Sequence, residues 1–448
     1  MEKNLEKFNN KNVVKTLFFL SYPSLISMVS TAFAQIINVA FVGMLNDNAL
    51  LATLSVCFPL FTVVNAAGQM IGISLLSLGG RTLGKDNFDS FKSIASSGII
   101  YGIVVYILLI LFAVFLLNPL LKFMGAYEKI LDYSKEYAFY LLIFSIFPVY
   151  NMIFNNLLRA LGKVNHSMIS MLISAILNIS LDALFIFELK LKIIGLIISV
   201  ITSQAGGCIY AFIVLLKNKA FSFKHLELKM TLFEIFKIGL PTFLMQLGAS
   251  ISVWILNQNA ANISEEAISG FGIGNKIYNL VFQTILGYTQ GYLPFVAYQY
   301  GKNAKDKLHT SLRISITSML FLTAIFSIVF FIFSNSIVSL FSQDKKVIIY
   351  AQLSLLFHAS ALLIVSIIQV LTVYFQGVKK ALFAGILSLS RQVVFLLPAS
   401  IVFSNFLNGY FAVITPQPIA DVLTFIVLII GLFIIKGNNR LKNNQNTV

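Results

Sequence analysis

The chain has 448 residues, of which 58% are hydrophobic and only 11% are charged. Soluble domains carry about one quarter charged residues, so this composition excludes an ordinary soluble protein and indicates a membrane protein. The net charge of +15 comes from Lys and Arg in short connections between apolar runs. Orientation in a bilayer requires such basic connections, and no basic surface remains for a nucleic acid.

Apolar runs long enough to cross a bilayer recur along the whole chain. One crossing needs roughly 20 residues, and runs of this length without strict alternation of polar and apolar residues indicate helices. Prolines inside the runs should bend their helices, most strongly where Pro416 and Pro418 follow each other closely. The twelve predicted spans are 13–45, 49–79, 92–117, 134–158, 165–187, 193–216, 235–260, 268–298, 310–334, 347–376, 381–405 and 409–435.

Lys and Arg are distributed unequally between the two sides of these spans. If the N-terminus is cytoplasmic, 23 of the 32 fall on the cytoplasmic side and seven on the outer side. This bias satisfies the positive-inside rule. We therefore predict a multi-pass protein of the plasma membrane with both termini in the cytoplasm.

The two halves of the chain repeat each other. SYPS around Pro23 recurs as GLPT around Pro241, and RTLGKDN at 81–87 recurs as YQYGKNA at 298–304. Each repeat holds six spans, so the halves have the same orientation, and their interface predicts a central cleft. The expected domains are an N-terminal lobe at 1–216, a basic cytoplasmic linker at 217–234, a C-terminal lobe at 235–436 and a cytoplasmic tail at 437–448.

Asp182 is the candidate functional residue of the first half, because an ionisable side chain inside a span is costly. Ser167, Ser170, Ser174, Asn178 and Asp182 recur every three or four residues, which places them on one helix face. This face either borders a water-filled cavity or packs closely on a neighbouring helix, which would then satisfy the acid. We expect no cation at the same depth in the first half, so the carboxyl can carry a proton near neutral pH.

The second half has three charged residues well inside its spans, Lys276, Arg391 and Asp421. At 1.5 Å per residue, the depths of Arg391 and Asp421 differ by only ~6 Å. We therefore predict a buried structural ion pair between them. Lys276 lies nearer a span end, where its amine can extend toward the surface.

Amide side chains form further stripes on several spans. Amides can bond across helices as packing contacts, but matched stripes in both halves favour a cavity. Cys57, Cys208 and the four histidines lack the spacing of metal ligands, and the spans contain no nucleophile–base pair, so we expect neither an enzyme nor a cofactor. The predicted substrate-cavity residues are Asn65, Gln69, Asn155, Gln246, Asn257, Gln283 and Gln369.

Eight motifs are spread across nearly the whole chain. They are FVGMLNDNALLATLSV (41–56), LGKDN (83–87), LLRALGKVNHSM (157–168), LNISLDALFIF (177–187), GLPTFLMQ (239–246), TQGYLPFVAYQYGK (289–302), LSLSRQVVFLLP (387–398) and PQPIAD (416–421). Each motif alone is weakly specific, but in their order and spacing they together resemble the multidrug and toxic compound extrusion (MATE) family. The resemblance implies two six-helix lobes, a central cavity and export of amphipathic, mostly cationic drugs by alternating access, and we expect a monomer.

The resemblance also implies roles for single residues. Asp182 and Asn178 match the Asn–Asp pair of proton-coupled members, whereas Asn38 stands where many members have an aspartate on the first helix. Val200 replaces a threonine of the sixth helix, and the body of span seven lacks the acid of sodium-coupled members. These departures resemble the MepA-like branch. They indicate coupling to protons, with sodium as the alternative, at Asp182, Asn178 and Asn38.

Two other functions fit the sequence less well. A flippase for a lipid-linked or amphipathic metabolite should have a strongly cationic cavity for diphosphate, but only Lys276 and Arg391 lie within the spans. A membrane scaffold without transport activity would not need polar stripes in both halves. An exporter is therefore the favoured interpretation.

Overall fold

A computed structural model describes residues 8–44, 48–123, 128–224, 226, 228–407 and 409–445. Within these ranges the chain is helical, and no strand occurs in them. Residues 45–47 of the FVGMLNDNALLATLSV motif and the last three residues of the predicted tail lie outside the described residues.

The described residues of the first half form seven long helices. They follow the predicted spans, because each is a long apolar run whose backbone polar groups must bond internally in a membrane. The helices are α1 (Val13–Met44), α2 (Asn48–Gly84), α3 (Phe88–Phe123), α4 (Glu128–Ile143), α5 (Ile146–Ala160), α6 (Val164–Ala183, continued by a π-helical turn at Leu184–Glu188) and α7 (Lys192–Lys217).

In the described part of the second half there are ten helical segments, several of which continue one another through π-helical turns. They are α8 (Leu228–Glu234, continued by a π turn at Ile235–Gly239), α9 (Leu240–Ala261), α10 (Glu265–Gly301), α11 (Lys305–Ser339), α12 (Lys345–Ser360), α13 (Leu362–Gly377), α14 (Ala381–Leu389, continued by a π turn at Ser390–Leu396), α15 (Leu397–Phe406), α16 (Phe411–Ile414) and α17 (Pro416–Gln445).

The prediction of an all-α membrane protein is confirmed. Among the described residues, nine helices are long and apolar enough to cross a bilayer, and eleven if each bent pair counts as one span. The remaining predicted interval, 268–298, is filled by the 37-residue helix α10. Each of the twelve predicted spans therefore corresponds to a helix or a helix pair.

Breaks in the spans follow prolines only in part. The last span is interrupted at Thr415, directly before Pro416, as predicted. The bent pairs are α4–α5, at 46°, and α12–α13, at 48°. Pro148 lies just after the first bend, whereas no proline lies near the second. Hydrogen-bonding side chains near a bend are one alternative cause.

The described helices form two compact units. One consists of Met1–Leu247, Phe282–Ser311 and Gln376–Val378, and the other of Gly248–Val281, Leu312–Phe375 and Lys379–Val448. Within the first unit, the end of α10 packs closely on α1, where a Cβ on Gly287 would lie 2.6 Å from the Leu25 Cα. The lobe boundaries predicted from the repeat stay a prediction.

Candidate functional site

Asp182 lies in the last turn of α6, immediately before the π-helical turn, and its side chain is fully buried. π-helical turns replace the i→i+4 hydrogen bonds of an α-helix by i→i+5 bonds. They are rare and are found frequently at functional sites. On the following turn, the Phe187 ring contacts the Phe41 ring edge to face at 5.3 Å between centroids. This contact holds the end of α6 against α1.

Three helices bring polar side chains to Asp182. Asn38 of α1 bonds to Asn178 of α6, with 2.6 Å between Nδ2 and Oδ1. Asn178 Nδ2 donates to the Ser199 hydroxyl of α7 at 3.1 Å, and this hydroxyl donates to the Asn178 carbonyl at 3.1 Å. The three residues predicted for ion coupling therefore meet in one cluster. Ser199 was missed by the sequence analysis, which compared only its neighbour Val200.

The Asn38 amide also reaches Asp182 directly. When the amide is turned by half a rotation, its Nδ2 lies 2.8 Å from Asp182 Oδ2 and 3.1 Å from the Ala34 carbonyl. The other carboxylate oxygen, Oδ1, has no hydrogen-bond partner among the described residues. No salt bridge to Asp182 forms within the described part of the chain. The acid thus meets the Asn38 amide and the Ser199 hydroxyl rather than a cation.

The polar stripe of α6 continues into a second cluster one turn away. Asn151 of α5 donates to Ser174 at 3.2 Å and to Gln204 of α7 at 2.8 Å. Ser170 donates to the Gly207 carbonyl at 2.9 Å. Ser167, Ser170 and Ser174 are all buried. The stripe therefore faces α5 and α7, as the packing interpretation expected, and its buried hydroxyls are bonded mainly to these helices.

Two buried arginines belong to helix ends that the sequence analysis assigned to connections. Arg81, in the last turn of α2, forms a salt bridge with Glu234 of α8 at 2.8 Å, and both side chains are less than 10% exposed. Arg159, in the last turn of α5, donates to the Gln290 side-chain oxygen and to Met171 Sδ. The two arginines were placed outside the spans because a hydropathy criterion ends a predicted span at the first charged residue it meets.

The second unit contains a separate buried cluster around Arg391. Its Nε donates to Asp421 Oδ1 at 2.6 Å, and its Nη2 donates to the Tyr278 hydroxyl at 3.1 Å. The His358 ring lies 4.8 Å from the Tyr278 ring, and its Nδ1 lies 2.7 Å from the Ser354 carbonyl. Arg391 and Asp421 are thus brought together as an ion pair.

The predicted cavity residues are found in several environments. Asn65 donates to the Phe61 carbonyl of its own helix at 2.9 Å, and Gln69 accepts from Asn156 at 3.1 Å. Asn155 is buried and donates to Asn151 and Ser170. Gln369 is also buried. Besides Asn65 and Gln69, the half-buried ones are Gln246, Asn257 and Gln283.

Sequence comparison identifies relatives over almost the full length. A model of the MatE family matches residues 23–184 and 241–415. Two proteins named multidrug export protein MepA match this chain over 439 residues, covering 97% of this chain and 97% of each relative. The one from Staphylococcus saprophyticus is 24% identical, and the one from Staphylococcus aureus (strain MRSA252) is 26% identical.

The fold has close neighbours among solved structures. One of them is described as the outward-facing conformation of a multidrug resistance MATE family transporter of the MOP superfamily. It matches with a TM-score of 0.89 at 21% identity and covers 98% of this chain and 99% of that chain. Such a likeness shows a shared fold. Since the MatE model also matches more than half of the residues, this chain belongs to the MatE family.

Proposed function

We propose that this protein exports amphipathic, mostly cationic drugs or toxic compounds across the plasma membrane in exchange for protons. The observation that carries the proposal is Asp182, a fully buried acid that meets the Asn38 amide of α1 beside a π-helical turn. The relatives named as multidrug export proteins cover almost the whole chain, which supports export of small molecules. The protein works as a monomer with both termini in the cytoplasm.

The buried groups favour protons over sodium as the coupling ion. A sodium site needs several oxygen ligands and a lasting negative charge, whereas a carboxyl among amides can take up and release a proton. Glu234 precedes α9, and its Oε2 is bonded to Arg81 at 2.8 Å. Because the negative charge of Glu234 is already compensated by Arg81, Glu234 is a poor sodium ligand. Asp182 carries the coupling charge.

The transport cycle follows from protonation of Asp182. In the state open to the outside, a proton neutralises the carboxyl and changes which hydrogen bonds it can make. The change repacks α1 against α6 and α7, and the repacking releases the drug. The inward-open state then returns the proton to the less acidic cytoplasm. Differential binding of the proton to the two states makes the exchange obligatory.

Substrate selection follows from side chains that adapt their shape. Amides such as Gln69 and Gln246 supply hydrogen bonds without fixed charge, and flexible Met side chains repack around ligands of different shape. A site of this kind favours large apolar monovalent cations with modest affinity and broad selectivity. Tight binding of one anionic metabolite, without any response to cationic dyes, would contradict this proposal.

The test is drug efflux in proteoliposomes with proton and sodium gradients imposed separately. We expect a proton gradient alone to drive export of a cationic dye. Asp182→Asn keeps the size and hydrogen-bonding capacity of the side chain but cannot titrate, so it should bind the dye and lose gradient-driven efflux. Glu188→Gln, which changes an exposed acid at the end of the same π-helical turn, is the matched control and should keep coupling. Normal proton-driven efflux by Asp182→Asn would reject the proposal.

The alternative function is a flippase for a lipid-linked or amphipathic metabolite. Recognition of a diphosphate needs arginines whose donors are available to it. Arg81 and Arg391 are both bonded to carboxylates, so their charge is largely compensated. Transfer of a fluorescent lipid-linked diphosphate between leaflets, with no dye export under either gradient, would favour the flippase.

A further inference from the structure

The described residues of the connection between the two halves, 217–237, are bound to α3. The Ser222 backbone N–H donates to the Ser96 hydroxyl at 2.8 Å, and the Tyr101 hydroxyl donates to the Leu228 carbonyl at 2.8 Å. Ser96 is fully buried, so its hydroxyl is shielded from water. The connection therefore has a fixed position against α3, which a segment that only joins two helices would not need.

Every exposed side chain among the described residues of 217–237 is basic or apolar. Phe223 is 60% exposed between the exposed Lys219 and Lys224. Phe233 of α8 is 62% exposed, and the ammonium of the half-buried Lys237 lies 5.4 Å from the centre of its ring. We call this set the linker surface. Its lysines are Lys217, Lys219, Lys224, Lys229 and Lys237, and its apolar residues are Phe223, Met230, Phe233 and Phe236.

The positive charge of the linker surface is not cancelled by neighbouring acids. No salt bridge to its lysines occurs among the residues that the structure describes. Glu234 of α8 is buried and bonded to Arg81 at 2.8 Å, so its charge is compensated from α2. Glu227 is the other acid in 217–237, so five lysines there stand against a single acid outside the Arg81 pair.

The connection between α2 and α3 is different. Its lysines, Lys85 and Lys92, are accompanied by Asp86 and Asp89, and Lys92 Nζ lies 2.9 Å from Asp89 Oδ1. Acids contribute little to the positive-inside rule, so both connections satisfy it. The rule therefore does not explain why the linker surface keeps a large surplus of positive charge.

The linker surface lies beyond the hydrocarbon core of the bilayer. α8 and α9 together form one candidate span of 34 residues, Leu228–Ala261. The 24 residues that follow Lys237 in this span are about 36 Å long, whereas the hydrocarbon core is about 30 Å thick. α8 is therefore at the level of the headgroups, on the side that the distribution of Lys and Arg assigns to the cytoplasm. Apolar and basic side chains occur together there.

We propose that the linker surface binds anionic phospholipid headgroups of the cytoplasmic leaflet. Clusters of about four to eight Lys or Arg directly beside a span recognise lipids of this charge. The Phe and Met side chains enter the boundary between headgroups and acyl chains, and the lysine stems lie along them with their ammonium groups at the phosphates. A soluble anion would contact the lysines alone and leave the apolar side chains in water.

The bound lipid also acts on the first unit. Because Glu234 is bonded to Arg81, a lipid that holds α8 also holds the end of α2. The connection is bound to α3 as well, through Ser222 and Leu228. Lipid binding at this surface does not depend on which compound the protein exports, so it can be tested without a transport assay.

The test is fluorescence quenching by brominated lipids, for which the single tryptophan of the chain is an advantage. In a Trp254→Phe background, Phe233→Trp places the reporter within the linker surface. The vesicles contain phosphatidylglycerol and phosphatidylcholine, and one of the two is brominated at a time. We expect the reporter at 233 to prefer phosphatidylglycerol about fivefold or more, since each Lys near an anionic membrane surface contributes roughly fivefold.

The parent protein is the control for the position of the reporter. Its Trp254 is 40% exposed and lies on α9, toward the opposite end of the same span. No lysine of the linker surface is near this end, so Trp254 should be quenched equally by the two brominated lipids.

Two triple variants separate the linker surface from the rest of the cytoplasmic side. The first should lower the preference at position 233 to that of Trp254, and it carries Lys219→Gln, Lys224→Gln and Lys229→Gln. The matched control should keep the preference, and it removes three exposed lysines of other connections with Lys85→Gln, Lys305→Gln and Lys380→Gln. All six lysines are exposed, so both variants should melt like the parent.

Several results would overturn the proposal. One is equal quenching at position 233 by the two brominated lipids, and another is an equal loss of preference in both triple variants. Loss of the preference with inorganic phosphate, but not with sodium chloride at the same ionic strength, would assign the surface to a soluble anion. Binding of polyglutamate to the parent, without any lipid preference, would assign it to an acidic protein partner.

Discussion

Single buried guanidinium groups in this protein are compensated in different ways. Arg391 and Arg81 each meet a carboxylate, at 2.6 Å and 2.8 Å respectively. Arg159 is also buried but bonds to the amide oxygen of Gln290 and the thioether of Met171. Desolvation of a charge is costly, and only close partners repay it. Asp182, which has no salt bridge among the described residues, differs from both paired acids.

The pair in the second unit predicts strong effects of single substitutions. Arg391→Ala or Asp421→Ala leaves an opposite charge buried without its partner, which costs about 3–5 kcal/mol of stability. Each should therefore lower the thermal melting temperature in detergent. The double variant Arg391→Met with Asp421→Leu removes both charges at similar volume and should recover much of the loss.

The exposed ion pair between Lys346 and Glu266 provides the control. Its nitrogen–oxygen distance is 3.4 Å, and the Lys346 side chain is 74% exposed. Surface pairs contribute about 0–1 kcal/mol, so Lys346→Ala should melt like the parent. If Arg391→Ala also melts like the parent, the Arg391–Asp421 pair does not stabilise the fold.

At the scale of elements, the sequence predicted which face of α6 is polar but not what it contacts. The spacing of Ser167, Ser170 and Ser174 identified the face. Its partners, Asn151 on α5 and Gln204 on α7, lie on other helices, and helix periodicity carries no information about which helices are neighbours. For the same reason the spacing pointed to Asn178 and Asp182 but not to Asn38, which only the resemblance identified, and Ser199 was not identified at all.

Two adjacent glycines on α7 test the contact between α6 and α7. A Cβ on Gly207 would lie 2.7 Å from the Ser170 carbonyl and would also strike the Ser174 hydroxyl. Gly207→Ala must therefore push the helices apart, at a cost of about 1–3 kcal/mol. We expect a lower melting temperature and weaker drug efflux, since Asn151 loses its bond to Ser174.

Gly206→Ala is the matched control, because its Cβ points to the flexible end of Leu177, 2.6 Å away. Alanine favours a helix over glycine by about 1 kcal/mol, so this variant should be neutral or slightly stabilised. If the melting temperature and the drug efflux fall equally in both variants, the close contact of Gly207 with α6 has no special role.

For the whole molecule, hydropathy predicted the number and order of the spans but made several of them shorter than the helices are. The predicted span 49–79 continues to Gly84 in α2, and the span predicted to begin at 235 is preceded by α8 from Leu228. Both extensions carry charges, Arg81 and Glu234, which pair with each other. A charged residue lowers the local hydropathy whether or not it is paired in the fold. Arg81 and Glu234 are 153 residues apart, so hydropathy could not show that they belong to the helices.

The arrangement of the whole chain in the membrane is the last prediction. The bias of Lys and Arg places both termini in the cytoplasm, because basic connections are retained on that side. Reporter fusions after residues 47 and 264 should therefore read outside, and a fusion after 224 inside.

Position 264 follows α9 and position 224 follows α7, so an odd number of spans separates them. The two reporters must read opposite sides if 228–261 is one crossing, as its length and composition allow. A reporter at 264 that reads inside would contradict the six-span repeat, since each half would then contain a different number of crossings.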